Sequence, residues 1–146
     1  MIERFRGNDG LAVLMDALRR QSLVDGSSGI AEMIASAMHL QEYLQGESLF
    51  RQGDRGGDLY FILAGKVSIL VGQQEVAIVE AGMHVGEIGM LEPFKGRSAS
   101  VVAIDTVVAA YITQARFFEI ARVHPDLFRR LAVELGHRLV ETQRRG

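Results

Sequence analysis

Between Val85 and Val101, in VGEIGMLEPFKGRSASV, a glycine, a carboxylate, a guanidinium and a hydroxyl fall at a spacing that can hold an anion. Gly86 lets backbone come close to whatever is bound. The run Glu87 to Leu91 can form one helical turn whose first amides point at a phosphate. Ten residues after Glu87 stands Arg97, able to take two oxygens of one phosphate, beside Ser98, whose hydroxyl can add a further bond. Glu87 fits an anion site only if it has a partner of its own. A sugar hydroxyl is a common one, as with the acidic residue that holds the ribose in dinucleotide folds. Phosphate plus ribose amounts to a nucleotide.

The inventory for catalysis is thin. The chain has no cysteine, which removes disulfides, thiol nucleophiles and cysteine-ligated metals. His39, His84, His124 and His137 lie in different segments without the spacing of a metal helix. His84, next to the anion site, reads as a rim histidine in a strand-end turn rather than a general base. Glu87 has only Glu92 as a second carboxylate nearby, a poor supply for phosphodiester hydrolysis without a metal. The expectation is a binding module with no catalytic residues, no metal and no cofactor, and an enzyme that hydrolyses its nucleotide is the disfavoured reading.

The elements that must position these groups change period along the chain. GLAVLMDALRRQ, from Gly10 to Gln21, places Leu11, Leu14, Met15 and Leu18 on one helical face. Arg19 and Arg20 read as solvated charges near its C-terminus. Ser27 or Ser28 can cap a second helix carrying Ile30, Met33, Ile34, Ala37 and Met38. From His39 the period becomes two: HLQEYLQ, ESLFRQ, DLYFILAG, KVSILVG and QEVAIVE are short, β-branched and aromatic, and divided by glycine turns. After the anion site, SASVVAI and TVVAAYIT resume the pattern, giving about seven or eight strands. The anion site is thus an insertion of about 14 residues in a β segment, longer than a hairpin loop. Past Thr113, Gln114 to Val123 makes a short helix with Phe117 and Phe118 as core. Pro125 starts a last helix, His124 to about Arg144, striped by Leu127, Phe128, Leu131, Leu135, Leu139 and Val140. That stripe can cover the end of the β roll or pair with the same helix of a second subunit.

The 146 residues suit one domain that buries roughly two thirds of its unfolded surface. A net charge of -2 gives no basic field, so no nucleic-acid partner is expected. MIERFRGNDG has no apolar core of a signal peptide, and no apolar run nears the ~20 residues that span a bilayer, so the expectation is a cytoplasmic protein without a membrane partner.

Helices, a β roll with an inserted Gly-Glu…Arg-Ser-Ala cassette, and two further helices in that order resemble the cyclic nucleotide-binding domain family over residues 39 to 143. The family's early turn glycine corresponds to Gly53. Its Asp-x-Tyr-x-Ile-x-x-Gly-x-Val pattern corresponds to Asp58, Tyr60, Ile62, Gly65 and Val67, and its phosphate cassette to Gly86, Glu87, Arg97, Ser98 and Ala99. The spacing is that of the bacterial catabolite activators. The resemblance implies a mainly β fold with flanking helices: an eight-stranded jelly roll over 39–113 with an inserted cassette, an N-terminal helical segment over 1–38 and lid helices over 114–144, the binding domain being 39–146. It implies that Glu87 accepts the ribose 2′-hydroxyl, that Arg97 pairs with the cyclic phosphate beside Ser98, and that amides near Ile88 and Gly89 finish the cradle. By position in that fold, Ile69, Val76, Val79 and Val85 line the base pocket, joined by Arg138, Thr142 and Gln143 from the last helix. The ligand would draw that helix over the pocket.

The activators continue into a helix-turn-helix after the long helix, whereas the last residues here are still those of the long helix, so a transcription factor acting by itself is not expected. The N-terminal block RFRGNDGLAVLMDALRRQ is similar to the start of sensor proteins of the Pycsar, or pyrimidine-cyclase, anti-phage systems, in which such a domain precedes a TIR effector that destroys NAD. That likeness implies cyclic UMP or cyclic CMP as ligand and a fused or separate effector as partner, and the Leu131, Leu135 and Leu139 seam makes a homodimer through the last helix the expected assembly. The alternative is a stand-alone regulatory protein that binds cyclic AMP or cyclic GMP and acts on a separate partner.

Overall fold

Two four-stranded antiparallel sheets form from the segments of period two in a computed structural model that describes the backbone of residues 1–145 and the side chains of residues 1–138. The strands are β1 (His39–Tyr43), β2 (Ser48–Phe50), β3 (Leu59–Ala64), β4 (Lys66–Val71), β5 (Gln74–Glu80), β6 (His84–Val85), β7 (Ser100–Ala103) and β8 (Val107–Ile112). One sheet has the order β1-β8-β3-β6, the other β2-β7-β4-β5. The jelly roll is therefore mainly β with flanking helices. β6, in register with Tyr60 and Phe61 of β3, is two residues long and too short for any periodic signal.

The pleat of the first sheet feeds two cores at once. Along β8, Val107 and Ala109 point into the roll with Tyr43, Tyr60, Ile62 and Val67. Val108, Ala110 and Ile112 point outward into a second cluster with Leu18, Ile34, Phe117 and Leu131. A strand buried on both faces loses its alternation, which is why β3 reads as the unbroken apolar run LYFILA. The other sheet is covered on one side only, and Val76 and Ile78 of β5 are 44% and 52% exposed.

The outer cluster is built by α1 (Gly7–Arg19), α2 (Ser28–Ala37), α4 (Gln114–Val123) and α5 (Asp126–Arg145). Residues 1–38 therefore share one core with the C-terminal helices. Ser27 caps α2 by accepting from the Ile30 amide at 3.1 Å, and Thr113 caps α4 by accepting from Arg116 at 3.2 Å. Between α1 and α2 the chain is pinned to the roll: the Ser22 amide donates to Gly82 at 2.9 Å and the Gln21 side chain to the Ile62 carbonyl at 2.8 Å.

Some expectations need correction. α1 starts at Gly7, and its buried face is Gly10, Leu14 and Leu18, at strict spacing of four. Leu11 falls outside that face and is 53% exposed. Phe117 is buried, but Phe118, one residue on and so turned about 100° around the axis, is 37% exposed and rests against Phe128 with ring centroids 5.7 Å apart. α5 starts at Asp126, with Pro125 in the preceding turn. Leu127 and Leu131 of its stripe are buried and Leu135 half-buried, while Leu139 and Val140 lie outside the described side chains. Arg19 pairs with Asp16 of its own helix, the solvated role assigned to it above.

Between β6 and β7 the insertion forms α3 (Glu87–Leu91) and a 3-10 turn over Pro93–Lys95. Among the described residues no helix is long and apolar enough to cross a membrane. At the opposite end of β3, Gly65 has φ +82°, and a Cβ there would lie 2.3 Å from the Thr106 carbonyl oxygen. Gly65→Ala should therefore cost at least about 3 kcal/mol in urea denaturation, strain plus collision. Gly72→Ala, at φ +62° with nothing within 4 Å of its Cβ, should cost only about 1 kcal/mol of strain.

Candidate functional site

Arg97, at the end of the insertion, is only 5% exposed. Its Nη1 donates to the Gly86 carbonyl at 3.0 Å and its Nη2 to the Asp58 carbonyl at 2.9 Å, while the guanidinium stacks 4.1 Å above the Phe50 ring centroid. Among the described residues no carboxylate reaches ion-pairing distance of it. Burial pushes the guanidinium below its ordinary value, with Tyr60 and Asp58 drawing it part of the way back. A buried cation held by two carbonyl dipoles and a ring face is under-compensated. Among the described residues its remaining N–H groups have no acceptor where it lines a cavity of about 420 Å³.

Glycines around Arg97 make room for it. Gly86 takes φ +91°, and a Cβ there would sit 2.8 Å from the Asp58 carbonyl oxygen and 3.0 Å from Nη1. Gly89 has ordinary helical backbone, yet its Cβ would lie 2.5 Å from the same nitrogen. Gly89 is thus required by space and not by a turn. The cavity wall brings together Gly86, Glu87, Ile88, Gly89, Arg97, Ser98 and Ala99 with Ile69, Val76, Leu135 and Arg138. A second cavity, of about 540 Å³, adjoins it through Ile69 and Arg138 and is lined also by Val79, Met83, Glu134 and His137. Val85 is placed differently from the pocket wall expected of it: it is 1% exposed and packs inside the roll opposite Tyr60. Thr142 and Gln143 lie outside the described side chains.

Glu87, the carboxylate at the start of the cassette, is 5% exposed and already engaged by the protein. Arg138 of α5 donates from Nη1 to its Oε1, and from Nη2 to the His84 carbonyl at 3.2 Å. Glu87 Oε2 lies 3.4 Å from His84 Nδ1. His84 is fully buried, a correction to its reading as a rim residue, and its Nε2 lies 2.7 Å from Glu134 Oε2. A carboxylate can only accept, so Nε2 carries the proton, and Nδ1 of the neutral ring has no hydrogen-bond partner among the described residues. Burial holds His84 below its ordinary value, with Glu134 opposing and Arg138 assisting. Glu134 is itself held low: burial opposes this, and the hydrogen bond to His84 is the strongest of the forces that outweigh it.

Phe50, Glu134 and the buried role of His84 were not legible in the sequence, nor was the contact of Asp58 with Arg97. Asp58 serves through its backbone carbonyl, which carries no residue signature. Glu134 and Arg138 did leave a faint one, opposite charges four apart on one helix face. Among the described residues no cluster of His, Asp or Glu suits a metal ion.

The family model described as "Cyclic nucleotide-binding domain" matches residues 40–124. The chain is 36% identical over 141 residues, 97% of its length, to the Pycsar effector protein XpPycTIR of Xanthomonas perforans, of which it covers 46%. It is 30% identical over 116 residues to the cAMP-activated global transcriptional regulator CRP of Escherichia coli, covering 76% of this chain and 55% of that one. The catabolite activator protein of Thermus thermophilus superposes with a TM-score of 0.75 at 28% identity, covering 84% of this chain and 60% of that one. The chain thus spans about half the length of the curated relatives it matches.

Because His84 is neutral when folded and faces Glu87, Glu134 and Arg138, it sets a pH dependence of known sign. Above its unfolded value of 6.5 both states are neutral there and its full contribution is present. Below it the unfolded chain binds a proton that the folded chain resists, so stability falls, by up to about 1.4 kcal/mol per pH unit. Urea denaturation from pH 7.5 to about pH 5 should show this slope, and His84→Gln, which keeps an N–H for Glu134, should flatten it.

Proposed function

We infer that this chain, which belongs to the cyclic nucleotide-binding domain family, is the sensor part of a signalling protein and takes a 3′,5′-cyclic nucleoside monophosphate at the cassette. The observation that carries this reading is the buried Arg97 guanidinium, preoriented by Gly86 and Asp58 and without a carboxylate partner among the described residues. A cyclic phosphate supplies the missing anion, with Ser98 and the first amides of α3 completing the contacts. Glu87 is the ribose acceptor, and the apolar side chains of Ile69, Val76 and Val79 face the base. The family is a regulatory one, and its members bind rather than transform the nucleotide.

The ligand we favour is cyclic UMP or cyclic CMP. The likeness to the Pycsar effectors over nearly the whole chain supports this, including its N-terminal block. On the same ground the module acts in the cytoplasm in antiviral defence. It passes a conformational or oligomerisation change to an effector such as a TIR domain that consumes NAD, with a homodimer formed through α5. Likeness to the cAMP-activated regulator keeps cyclic AMP as the competing ligand.

A thermal-shift panel of cyclic UMP, CMP, AMP and GMP separates these. The cognate nucleotide at a hundred times its Kd should stabilise the fold by about 2.7 kcal/mol, several degrees in Tm, and the others far less. Arg97→Ala should weaken binding of that nucleotide by about 2–3 kcal/mol in calorimetric titration, and unchanged affinity would overturn the cradle. Chromatography after prolonged incubation should return the cyclic nucleotide intact, and a linear monophosphate would overturn the assignment as a binding module.

A further inference from the structure

Arg97 is held by two carbonyls and one ring, and an irregularity in β2 places the ring. Opposite β7, Ser48 pairs with Val102 and Phe50 with Val101, so β2 carries one residue more than its partner over this stretch. In a regular pleat the consecutive residues Leu49 and Phe50 would face opposite sides. With the extra residue both pack on the inner cluster, Leu49 buried and Phe50 half-buried beside it. The Phe50 ring thereby lies 4.1 Å from the guanidinium, and its edge is close enough to Gly86 that a Cβ there would meet Cε2 at 3.5 Å. Tyr60 packs on the same ring, with centroids 5.5 Å apart and planes tilted by 44°, and Tyr111 in turn lies 5.3 Å from Tyr60.

The aspartates near Arg97 use their groups differently. Asp54 accepts from the Arg51 amide at 3.0 Å through its carboxylate and from the Arg97 amide at 2.7 Å through its carbonyl, and Asp58 gives the guanidinium its carbonyl. Among the described residues neither carboxylate ion-pairs with Arg97. A carboxylate in the place of the ring would hold the cation but neutralise it, and an incoming phosphate would have to compete. A ring face attracts a cation through its quadrupole and carries no net charge. We propose that Phe50 is a positioning residue of the phosphate site: its ring holds the Arg97 guanidinium where a carboxylate would otherwise be needed, and leaves the whole positive charge to the phosphate of the ligand. This rests on the reading of the cassette as a cyclic nucleotide site. Phe50 stands outside the cavity wall that Arg97 joins, so it acts on the ligand only through the guanidinium. The extra residue of β2 then has a function in the site, since bulges beside binding sites re-aim a side chain.

The test is calorimetric titration of cyclic UMP and cyclic AMP into the wild type, Phe50→Leu, Arg97→Gln and the double variant, with thermal unfolding to check that each is folded. Phe50→Leu should weaken the nucleotide that the wild type binds by about tenfold. In the Arg97→Gln background, where no charge rests on the ring, the same change should cost less than about twofold. Wild-type affinity in Phe50→Leu, or an equal loss in both backgrounds, would mean that Phe50 only fills the roll, and would overturn the proposal while leaving the binding site standing. Pentafluorophenylalanine at position 50 separates the ring's charge distribution from its volume, because it nearly keeps the shape and reverses the quadrupole. It should weaken binding at least as much as Phe50→Leu, and wild-type affinity there would overturn the proposal even if Phe50→Leu did not fold. No binding of cyclic UMP, CMP, AMP or GMP by the wild type would overturn the reading of the cassette itself.

Discussion

The cassette depends on a single buried charge, the Arg97 guanidinium. Withdrawing a guanidinium from water is costly unless its N–H groups and its charge are answered. Here two backbone carbonyls and the Phe50 ring answer each demand only in part. That arrangement dictates its surroundings: β2 supplies the ring, the approach to β3 supplies the Asp58 carbonyl, and Gly86 and Gly89 leave the space a Cβ would fill. The insertion is thereby referenced to both sheets at once, although it is itself one helical turn and one 3-10 turn. A site whose cation is fixed before any anion arrives loses little side-chain entropy on binding.

Glu87 poses the complementary problem, a buried carboxylate a few residues from a phosphate cradle. It is answered by the Arg138 guanidinium on one oxygen, while the neutral His84 ring faces the other and is itself held by Glu134 behind it. Two of these four residues belong to α5, so the electrostatics of the cassette and the seating of the last helix are one structure. Arg97, with no carboxylate beside it among the described residues, and Glu87, paired with Arg138, lie on the same cavity wall, which is the separation the proposed function assigns to the two ends of a ribose phosphate.

The outer face of the β1-β8-β3-β6 sheet explains why this matters beyond the cassette. α1, α2, α4 and α5 bury their apolar faces in one continuous cluster there, with Arg130 and the Gln21–Ser22 turn adding polar ties. A shift of α5 cannot be absorbed locally, since packed interfaces hold discrete arrangements and do not deform smoothly.

Period, turn chemistry and cassette spacing were legible because they are local. Ser27, one of the two serines offered as a cap, caps α2, the longer strands fall where alternation and glycine turns put them, and Glu87, Arg97 and Ser98 share a wall because a short insertion brings them together. Where two cores compete for one element, local pattern was ambiguous. Leu11 and Phe118 look as apolar as Leu14 and Phe117, and only the position of the outer cluster decided which turned inward. Gly89 was expected to lend its amide to the cradle, and its lack of a Cβ also leaves space for a guanidinium. His84 looked like a rim residue and proved to be the buried link between Glu87 and Glu134, 50 positions away. The sequence by itself determined the roll, the cassette and the chemistry of its anion site, since these depend on residue types a few positions apart. Only the tertiary structure decided what Glu87 and His84 touch, because their partners lie on α5 and long-range pairing leaves no mark at either end alone.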